Sequence, residues 1–178
     1  MSDSNARTLA DERRRLYAEL ELERNQVWRN IEWCRIRDIE RPFVGDWSLK
    51  DIVGHLTSHE SEVVTAFRDL REGRRPTYFD IDDLDRWNHD HVERKRSLDF
   101  FSLLEQLRAS RKRLLEELAL VDDENLVDEE TPEHKLLRAV IDHDRAHWHE
   151  IAARLAGMEG VRPLTSSQRN PAATTLTS

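Results

Sequence analysis

Residues 132–156 read PEHKLLRAVIDHDRAHWHEIAARLA. Apolar residues recur here at steps of three and four, which is the spacing of one helix face. That face is formed by Leu137, Val140, Trp148, Ile151 and Leu155. Pro132 suits the first turn of a helix, and Gly157 follows the last residue of the pattern. The stretch therefore predicts an amphipathic helix with one side for a helical core.

Three more stretches have the same period. They predict helices from about Ala6 to Ile36, from Ser48 as N-cap to about Glu72 with Asp51 completing a weak capping box, and from about Leu98 to Leu120. Residues 41–48 and 73–80 interrupt the pattern, residues 81–96 are polar but helix-compatible, and residues 121–133 form an acidic connection. Four such helices without a strand pattern predict an all-α, antiparallel four-helix bundle over residues 1–157. The small, polar residues 158–178 are predicted to be a disordered tail.

Composition limits the possible functions. The chain has 178 residues, of which 38% are hydrophobic and 36% charged, with only five glycines and five prolines. One helical domain is the simplest reading of these values. The net charge of −8 argues against nucleic acid as the main partner. No stretch approaches 18 apolar residues, so we expect no membrane contact and a cytoplasmic location. Cys34 is the only cysteine and is interpreted as a buried structural thiol on a helix stripe.

Three histidines lie close together near the end of the chain. His143 and His147 fall about 40° apart on one helix stripe, on the flank of the apolar face, whereas His149 points away from the core. A His-x3-His pair on one stripe is a good metal platform, because both imidazoles can converge without bending the backbone. Capping, salt bridges or plain surface exposure would explain the same pair.

A third ligand would have to come from another helix. His55 and His59 share a stripe on the second predicted helix, and antiparallel packing could bring it against the last one. Three imidazoles leave an open position on a metal, which is the catalytic pattern. The single cysteine excludes a thiolate zinc site, and HExxH, paired Glu-x-x-His, phosphate-loop and GxSxG motifs are all missing.

Three motifs in this order resemble the DinB/YfiT-like superfamily of metalloenzymes. DWSLKDIVGHLTSHE (46–60) is similar to its second-helix signature, and IDHDRAHWHEI (141–151) to its last-helix histidine pair. Between these two motifs, WNHDHVERKRSLDFFSLLEQLRASRKRLLEEL (87–118) resembles the asparagine-bearing segment and third helix of the maleylpyruvate-isomerase-like and ClbS-like branches. The resemblance covers about residues 40–156, while the first helix agrees in pattern only.

The resemblance implies a bundle that holds one divalent metal (zinc, nickel or iron), often as a homodimer. Carried over by motif, the metal ligands are His55, His143 and His147, and His59 is the substitute if the register shifts by a turn. Some relatives have an acidic residue at the position of His143, so the histidine here implies a neutral three-imidazole site.

Four further positions, Glu60, Asn88, His89 and His91, each allow a structural and a functional interpretation. Glu60 falls on an apolar face, so it needs a partner, either an arginine on a neighbouring helix, which we favour, or a ligand imidazole that it supports from behind. Asn88, with His89 and His91, lies in a segment that could cover the site. Surface exposure is the favoured reading of all three, with Asn88 retained as a residue that could face substrate.

Two classes of function follow. Characterised relatives imply a thiol-dependent transferase or isomerase, in which mycothiol, bacillithiol or glutathione acts on a small electrophile, or a hydrolytic variant that destroys a toxin. The alternative is a non-enzymatic, dimeric binding or stress protein whose metal stabilises the fold or is vestigial. The residues alone leave the substrate, the thiol and the metal open.

Overall fold

The structure is a computed structural model that describes residues 2–34 and 39–158. It confirms the all-α helical bundle. From residue 159 onward the predicted tail lies outside the described residues, and so does the predicted end of the first helix at Ile36. Within the described residues, no helix is both long enough and apolar enough to cross a bilayer.

The described residues form six helices and one small hairpin. They are α1 (Ser2–Glu32), β1 (Pro42–Val44), β2 (Trp47–Ser48), α2 (Leu49–Arg71), a 3-10 turn (Thr77–Asp80), α3 (Leu84–Lys95), α4 (Phe100–Leu118), α5 (Asp123–Val127) and α6 (Pro132–Ala156). The bounds of α6 match the prediction. The acidic connection, in contrast, contains the short helix α5.

Side-chain caps fix where the long helices begin. Ser48 accepts a hydrogen bond from the Asp51 amide while the Asp51 carboxylate accepts one from the Ser48 amide, which confirms the predicted capping box. The Asp99 side chain caps α4 by accepting from the Ser102 amide, and Thr131 caps α6 directly before Pro132 by accepting from the His134 amide. Because α2 and α6 carry the candidate ligands, these caps fix the start of the two helices that matter most.

The bundle also contains one small hairpin, where the sequence shows no strand pattern. Pro42–Val44 and Trp47–Ser48 form a two-stranded antiparallel hairpin, too short for a period-two pattern to be visible in the sequence. Gly45 takes a positive φ of 56° in its turn, a conformation that favours glycine. The hairpin leads directly into α2 and places Trp47 against the ring of His55, with ring centroids 5.0 Å apart.

The four long helices do not simply alternate in direction. Glu19 and Glu23 on α1 pair with Arg138 and Arg145 on α6 in the same chain direction, so these two helices run parallel. Glu60 near the middle of α2 pairs with Arg111, and Arg68 near its end pairs with Glu117, so α2 and α4 also run parallel. The segment that contains α3 leads the chain back from the end of α2 to the level of its start, so that α4 can run in the same direction as α2. The α1/α6 pair is antiparallel to the α2/α4 pair.

A layer of buried charge divides the core into two halves. The first apolar half is formed around Val27, Leu56, Leu107 and Trp148, and the second around Leu20, Val63, Leu114 and Ile141. Between them, each long helix contributes one charged side chain: Arg24 from α1, Glu60 from α2, Arg111 from α4 and Asp144 from α6.

The four charges of this layer satisfy one another. Arg24 donates two hydrogen bonds of 2.9 Å to Asp144 and lies 3.2 Å from Glu60. Arg111 donates to Glu60 at 2.6 Å and to Asp144 at 2.8 Å, and Ser110 donates to Glu60 at 2.6 Å. Two cations and two anions make the layer neutral, and each carboxylate is only 1% exposed. Such a layer fixes the register of four helices, because each charge would be costly to bury without its partners.

Cys34 is placed differently from the prediction. It lies two residues beyond the end of α1, is only partly buried, and is packed against the first half of the core. Its sulfur lies 3.5 Å from the carbonyl oxygen of Asn30. The contacts of this thiol are structural, as the sequence suggested, but it does not lie on a helix stripe.

Candidate metal centre

Three imidazoles converge where α2 packs antiparallel on α6. The Nε2 atoms of His55 and His143 lie 2.7 Å apart. One ring nitrogen each of His55, His143 and His147 lies within 4.8 Å of the others, and this trio is a group of side chains that could hold a metal ion. The sequence brings them together because each helix supplies a pair spaced by four residues, and antiparallel packing sets one pair against the other.

His59, the substitute ligand, is held beside this trio. Its ring stacks on that of His143, with centroids 3.8 Å apart and planes 14° from parallel. Its Nε2 lies 3.1 Å from the hydroxyl of Tyr78. His59 therefore supports the ring of His143, and its own nitrogen already has a partner from the 3-10 turn.

The hydrogen bonds around the trio leave ring nitrogens available. His147 Nδ1 lies 2.9 Å from a carboxylate oxygen of Glu150, one turn further along α6. A carboxylate that accepts from one ring nitrogen leaves the lone pair of the other free, which is the usual arrangement of a histidine that binds metal. His55 Nδ1 is buried and has no hydrogen-bond partner.

Burial keeps these imidazoles neutral. It lowers the pKa of His55 to about 3, with the neighbouring histidines adding to the effect. Burial likewise lowers the pKa of His59 to about 4, although Asp144 acts in the opposite direction. The pKa of His143 lies well below its usual range, again mainly through burial, and the pKa of His147 is lowered in spite of Glu150. At neutral pH all four imidazoles are therefore uncharged, and each has one unprotonated ring nitrogen with a lone pair.

This donor set fits a divalent transition metal. Three neutral imidazoles suit zinc, nickel or iron and leave one coordination position open. The carboxylate of Glu150 behind His147 and the lone pairs available on the other two rings agree with that use.

A cavity of about 350 Å³ opens above the imidazoles. The four rings of His55, His59, His143 and His147 form its floor. Its wall is formed by six side chains from the hairpin, the 3-10 turn and the residue that follows it, and α3: Trp47, Tyr78, Ile81, Leu84, Trp87 and Asn88. The cavity is large enough for a small organic molecule and gives it direct access to the imidazoles.

Asn88 differs from its favoured reading. It is half-buried in the cavity wall, and its Oδ1 is buried without a hydrogen-bond partner. His89 is exposed as expected, and His91 is half-buried, with its ring stacked 3.8 Å from that of Trp87 and its Nδ1 2.8 Å from the Trp87 carbonyl. The segment that carries them is thus part of the wall of the site.

The remaining predicted positions have clear surroundings. Glu60 pairs with Arg24 and Arg111, as favoured, and also accepts a hydrogen bond from Ser110. His149 is exposed and stacks on Trp148. Glu60 follows His59, and Asp144 follows His143, so the buried charge layer lies directly behind the candidate ligands.

Several residues of the site were missed. A buried carboxylate could have been predicted at Asp144, because this residue lies four residues after Val140 and four before Trp148 on the apolar face. Glu150 was readable too, since it follows His147 by three residues. The wall residues Trp47, Tyr78 and Trp87 left no such signal, because they come from three short elements that only the tertiary structure brings together.

Comparison with protein-family models gives one result that bears on this site. The model of the mycothiol maleylpyruvate isomerase N-terminal domain matches residues 40–157, which run from the hairpin to the end of α6. The match includes every candidate ligand and every wall residue. Comparison with curated proteins and with solved structures finds no match. Because the match spans well over half of the chain, the protein belongs to the mycothiol maleylpyruvate isomerase N-terminal domain family.

Proposed function

We propose that the protein is a metal-dependent enzyme that uses a small thiol to isomerise or modify a small electrophile. The observation that carries this proposal is the convergence of His55, His143 and His147 on the floor of a cavity open to a ligand. The family match supports mycothiol as the thiol, with bacillithiol and glutathione as the alternatives to compare. A divalent cation held by the three imidazoles would bind the thiol sulfur and lower its pKa, as it does for bound water.

The protein's own side chains have distinct tasks in this proposal. Glu150 holds His147 in the tautomer that presents Nε2 to the centre. The low pKa values of His55 and His143 keep their lone pairs free at neutral pH. Trp47 and Trp87 exclude water from the reacting atoms, and Asn88 turns an amide towards the bound molecule. No protein nucleophile is required, which agrees with the structural contacts of Cys34.

We also propose that the protein acts in the cytoplasm and forms a homodimer. The dimer is supported by a groove between α1 and α4, which is lined by Trp28, Cys34 and Phe101. Phe101 is 66% exposed, and exposed apolar surface of this kind favours burial against a second copy. Light scattering should give a particle of twice the chain mass of 21.0 kDa. A mass equal to one chain at micromolar concentration would refute the dimer and leave the site unaffected.

The test of the proposed function is an isomerase assay with matched omissions. Metal-loaded protein with mycothiol should convert a cis-enedione or a cis-enoyl ester to its trans form, and omission of either metal or thiol should abolish the acceleration. Thiol-independent turnover of a reactive ester would support the hydrolytic alternative instead. Stoichiometric metal without any thiol-dependent reaction would favour a binding protein.

A further inference from the structure

Tyr78 places a hydroxyl group in the wall of the cavity. Among the described residues that line this space, it is the only one with a hydroxyl. Its oxygen lies 3.1 Å from Nε2 of His59 on the floor, and the ring of His59 stacks on that of His143 with centroids 3.8 Å apart. The hydroxyl therefore lies close to the candidate metal ligands, in the wall of the space that is open to a substrate.

The 3-10 turn holds this tyrosine in place. Gly73 takes a positive φ of 71° just after α2 and lets the chain turn back, and Thr77 then donates to Glu62 on α2 at 3.2 Å. The Tyr78 ring packs against the second half of the core and lies edge-on to Phe79, with centroids 5.8 Å apart. A donor that is fixed in this way needs no reorganisation when charge develops on a substrate.

The hydrogen bond to His59 leaves the Tyr78 proton available. A phenol carries one proton and accepts through the lone pairs of its oxygen. When Nε2 of His59 carries the ring proton, His59 donates to Tyr78 and the Tyr78 proton is free to bond a ligand. Hydrogen bonds in such a chain polarise one another, so the phenol becomes a better donor. Burial raises the pKa of Tyr78 above its ordinary value, and the phenol stays protonated at neutral pH.

A second observation in the wall points to a polar ligand. The Oδ1 atom of Asn88 is buried there without a hydrogen-bond partner. An unpaired buried oxygen is costly, and a ligand that donates to it removes this cost. The wall therefore offers an acceptor at Asn88 and a donor at Tyr78, beside the flat apolar surfaces of Trp47 and Trp87.

We infer that Tyr78 is a catalytic residue, which donates a hydrogen bond to the carbonyl oxygen of the bound electrophile. This role rests on the proposed function for its reaction. Ketones, esters and keto acids all offer such an oxygen, so the role is independent of the net charge of the substrate.

The hydrogen bond acts on charge that develops during the reaction. The thiolate sulfur bonds to the β-carbon of the activated double bond, and the π electron pair moves to the carbonyl oxygen. As this oxygen becomes negative, the hydrogen bond from Tyr78 strengthens, while the phenol keeps its proton. After rotation about the new single bond the electron pair returns, the C–S bond breaks and the thiolate leaves unchanged. No oxidant or reductant is needed.

Binding of an unreactive diketone tests this hydrogen bond without turnover. Hexane-2,5-dione has no double bond for a thiol to attack, and the difference between carbon-12 and carbon-13 samples isolates its infrared carbonyl band. In excess zinc and mycothiol, the band of the bound diketone should lie at lower wavenumber in the wild type than in Tyr78→Phe. Binding should be about twofold to tenfold weaker in the variant. Tyr17→Phe is the matched control and should match the wild type, because the Tyr17 hydroxyl contacts Arg13 on α1.

The acidity of the phenol separates donation from a structural role. Tyr78→3-fluorotyrosine supplies a stronger donor of nearly the same size and should move the carbonyl band to still lower wavenumber. A residue that only packed against the ring of His59 would not cause this change. Equal band positions in the wild type and Tyr78→Phe, or a wild type that does not bind the diketone, would overturn the inference.

Turnover distinguishes this inference from the proposed function. With a cis-enedione and mycothiol, Tyr78→Phe should lower kcat about 100-fold or more at unchanged zinc content, because the donor acts mainly on the transition state. An inactive wild type that still shows the infrared shift would refute the isomerase, while the hydrogen bond from Tyr78 to a carbonyl would stand. An active wild type with an equally active Tyr78→Phe variant would refute the role of Tyr78 and leave the isomerase intact.

Discussion

Arg24 on α1 donates two hydrogen bonds of 2.9 Å to Asp144 on α6, and Asp144 is the residue directly after the candidate ligand His143. The pair fixes the rotation and height of α6 against the rest of the bundle. Since Glu60 in the same layer follows His59, both ligand-bearing helices are held at the level of the imidazoles. The layer that divides the core therefore also sets the geometry of the site.

Removing one charge from this layer should be costly. Asp144→Ala leaves the buried Arg24 and the partly buried Arg111 with Glu60 as their shared carboxylate partner, and removing one member of such a buried group costs about 3–5 kcal/mol. Denaturant unfolding should show this loss of stability. Asp142→Ala on the exposed side of α6 is the matched control and should change stability by about 0.5 kcal/mol or less. A difference of less than about 1 kcal/mol between the two variants would contradict the role assigned to the layer.

The clustered histidines of α6 should separate by their positions. His143→Ala and His147→Ala should each abolish tight metal binding, because each removes one of three converging nitrogens. His149→Ala should retain the metal, since its side chain is exposed and stacks on Trp148. Elemental analysis of the three purified variants, with circular dichroism to verify folding, decides the matter. Equal loss of metal from all three would show that the register of α6 is wrong.

Glu150 should tune the metal without binding it. Glu150→Gln removes the carboxylate that lies 2.9 Å from His147 Nδ1 and should weaken metal affinity by about 10- to 100-fold. Competition with a chromophoric chelator measures the change. Glu116→Gln on the exposed face of α4 has the same chemistry and should leave affinity unaltered. An unchanged affinity in Glu150→Gln would remove this residue from the site.

The metal-free protein should lose stability as the medium becomes acidic. The folded-state pKa values of His55 and His59, about 3 and about 4, lie below the ordinary value of 6.5. Below pH 6.5 the unfolded chain therefore binds protons that the folded chain cannot. Stability is fully present above pH 6.5 and should fall by about 1.4 kcal/mol per pH unit for each histidine between pH 6 and pH 4.5.

The matched variant for the pH experiment is His55→Gln/His59→Gln. Without two of the buried imidazoles, the slope of unfolding free energy against pH should become clearly shallower over that range. Denaturant titrations at several pH values give both slopes. Identical slopes would mean that these histidines are already charged in the folded protein or are solvated there.

The sequence predicted which histidines lie close together better than it predicted the cavity around them, for physical reasons. The spacing of His55 from His59 and of His143 from His147 is a local property of two helices whose capping residues are also local. The parallel run of α2 and α4 depends on how α3 crosses the bundle, and the wall depends on Trp47, Tyr78 and Trp87 meeting from three short elements. Such contacts are non-local and leave no period in the sequence.

The charge layer could be predicted from the sequence in part: its residues could be, but their pairing could not. Arg24, Glu60 and Asp144 each lie on the apolar face of a helix, so a buried charge was readable at every one of these positions. Glu60 was recognised and its arginine partner expected. The sequence could not predict which charged residues pair, because the pairing depends on the relative height of four helices.

The stoichiometry of metal binding is the decisive measurement for the proposed site of three histidines. Untagged protein supplied with zinc, nickel, iron or cobalt should hold close to one ion per chain. His55→Ala should remain helical yet hold none, whereas His89→Ala, which removes an exposed histidine, should remain loaded. Cobalt-loaded protein should change its absorption spectrum when mycothiol is added, because a thiolate would enter the open position. A folded protein that binds no divalent ion with all its histidines intact would rule out the proposed metal site.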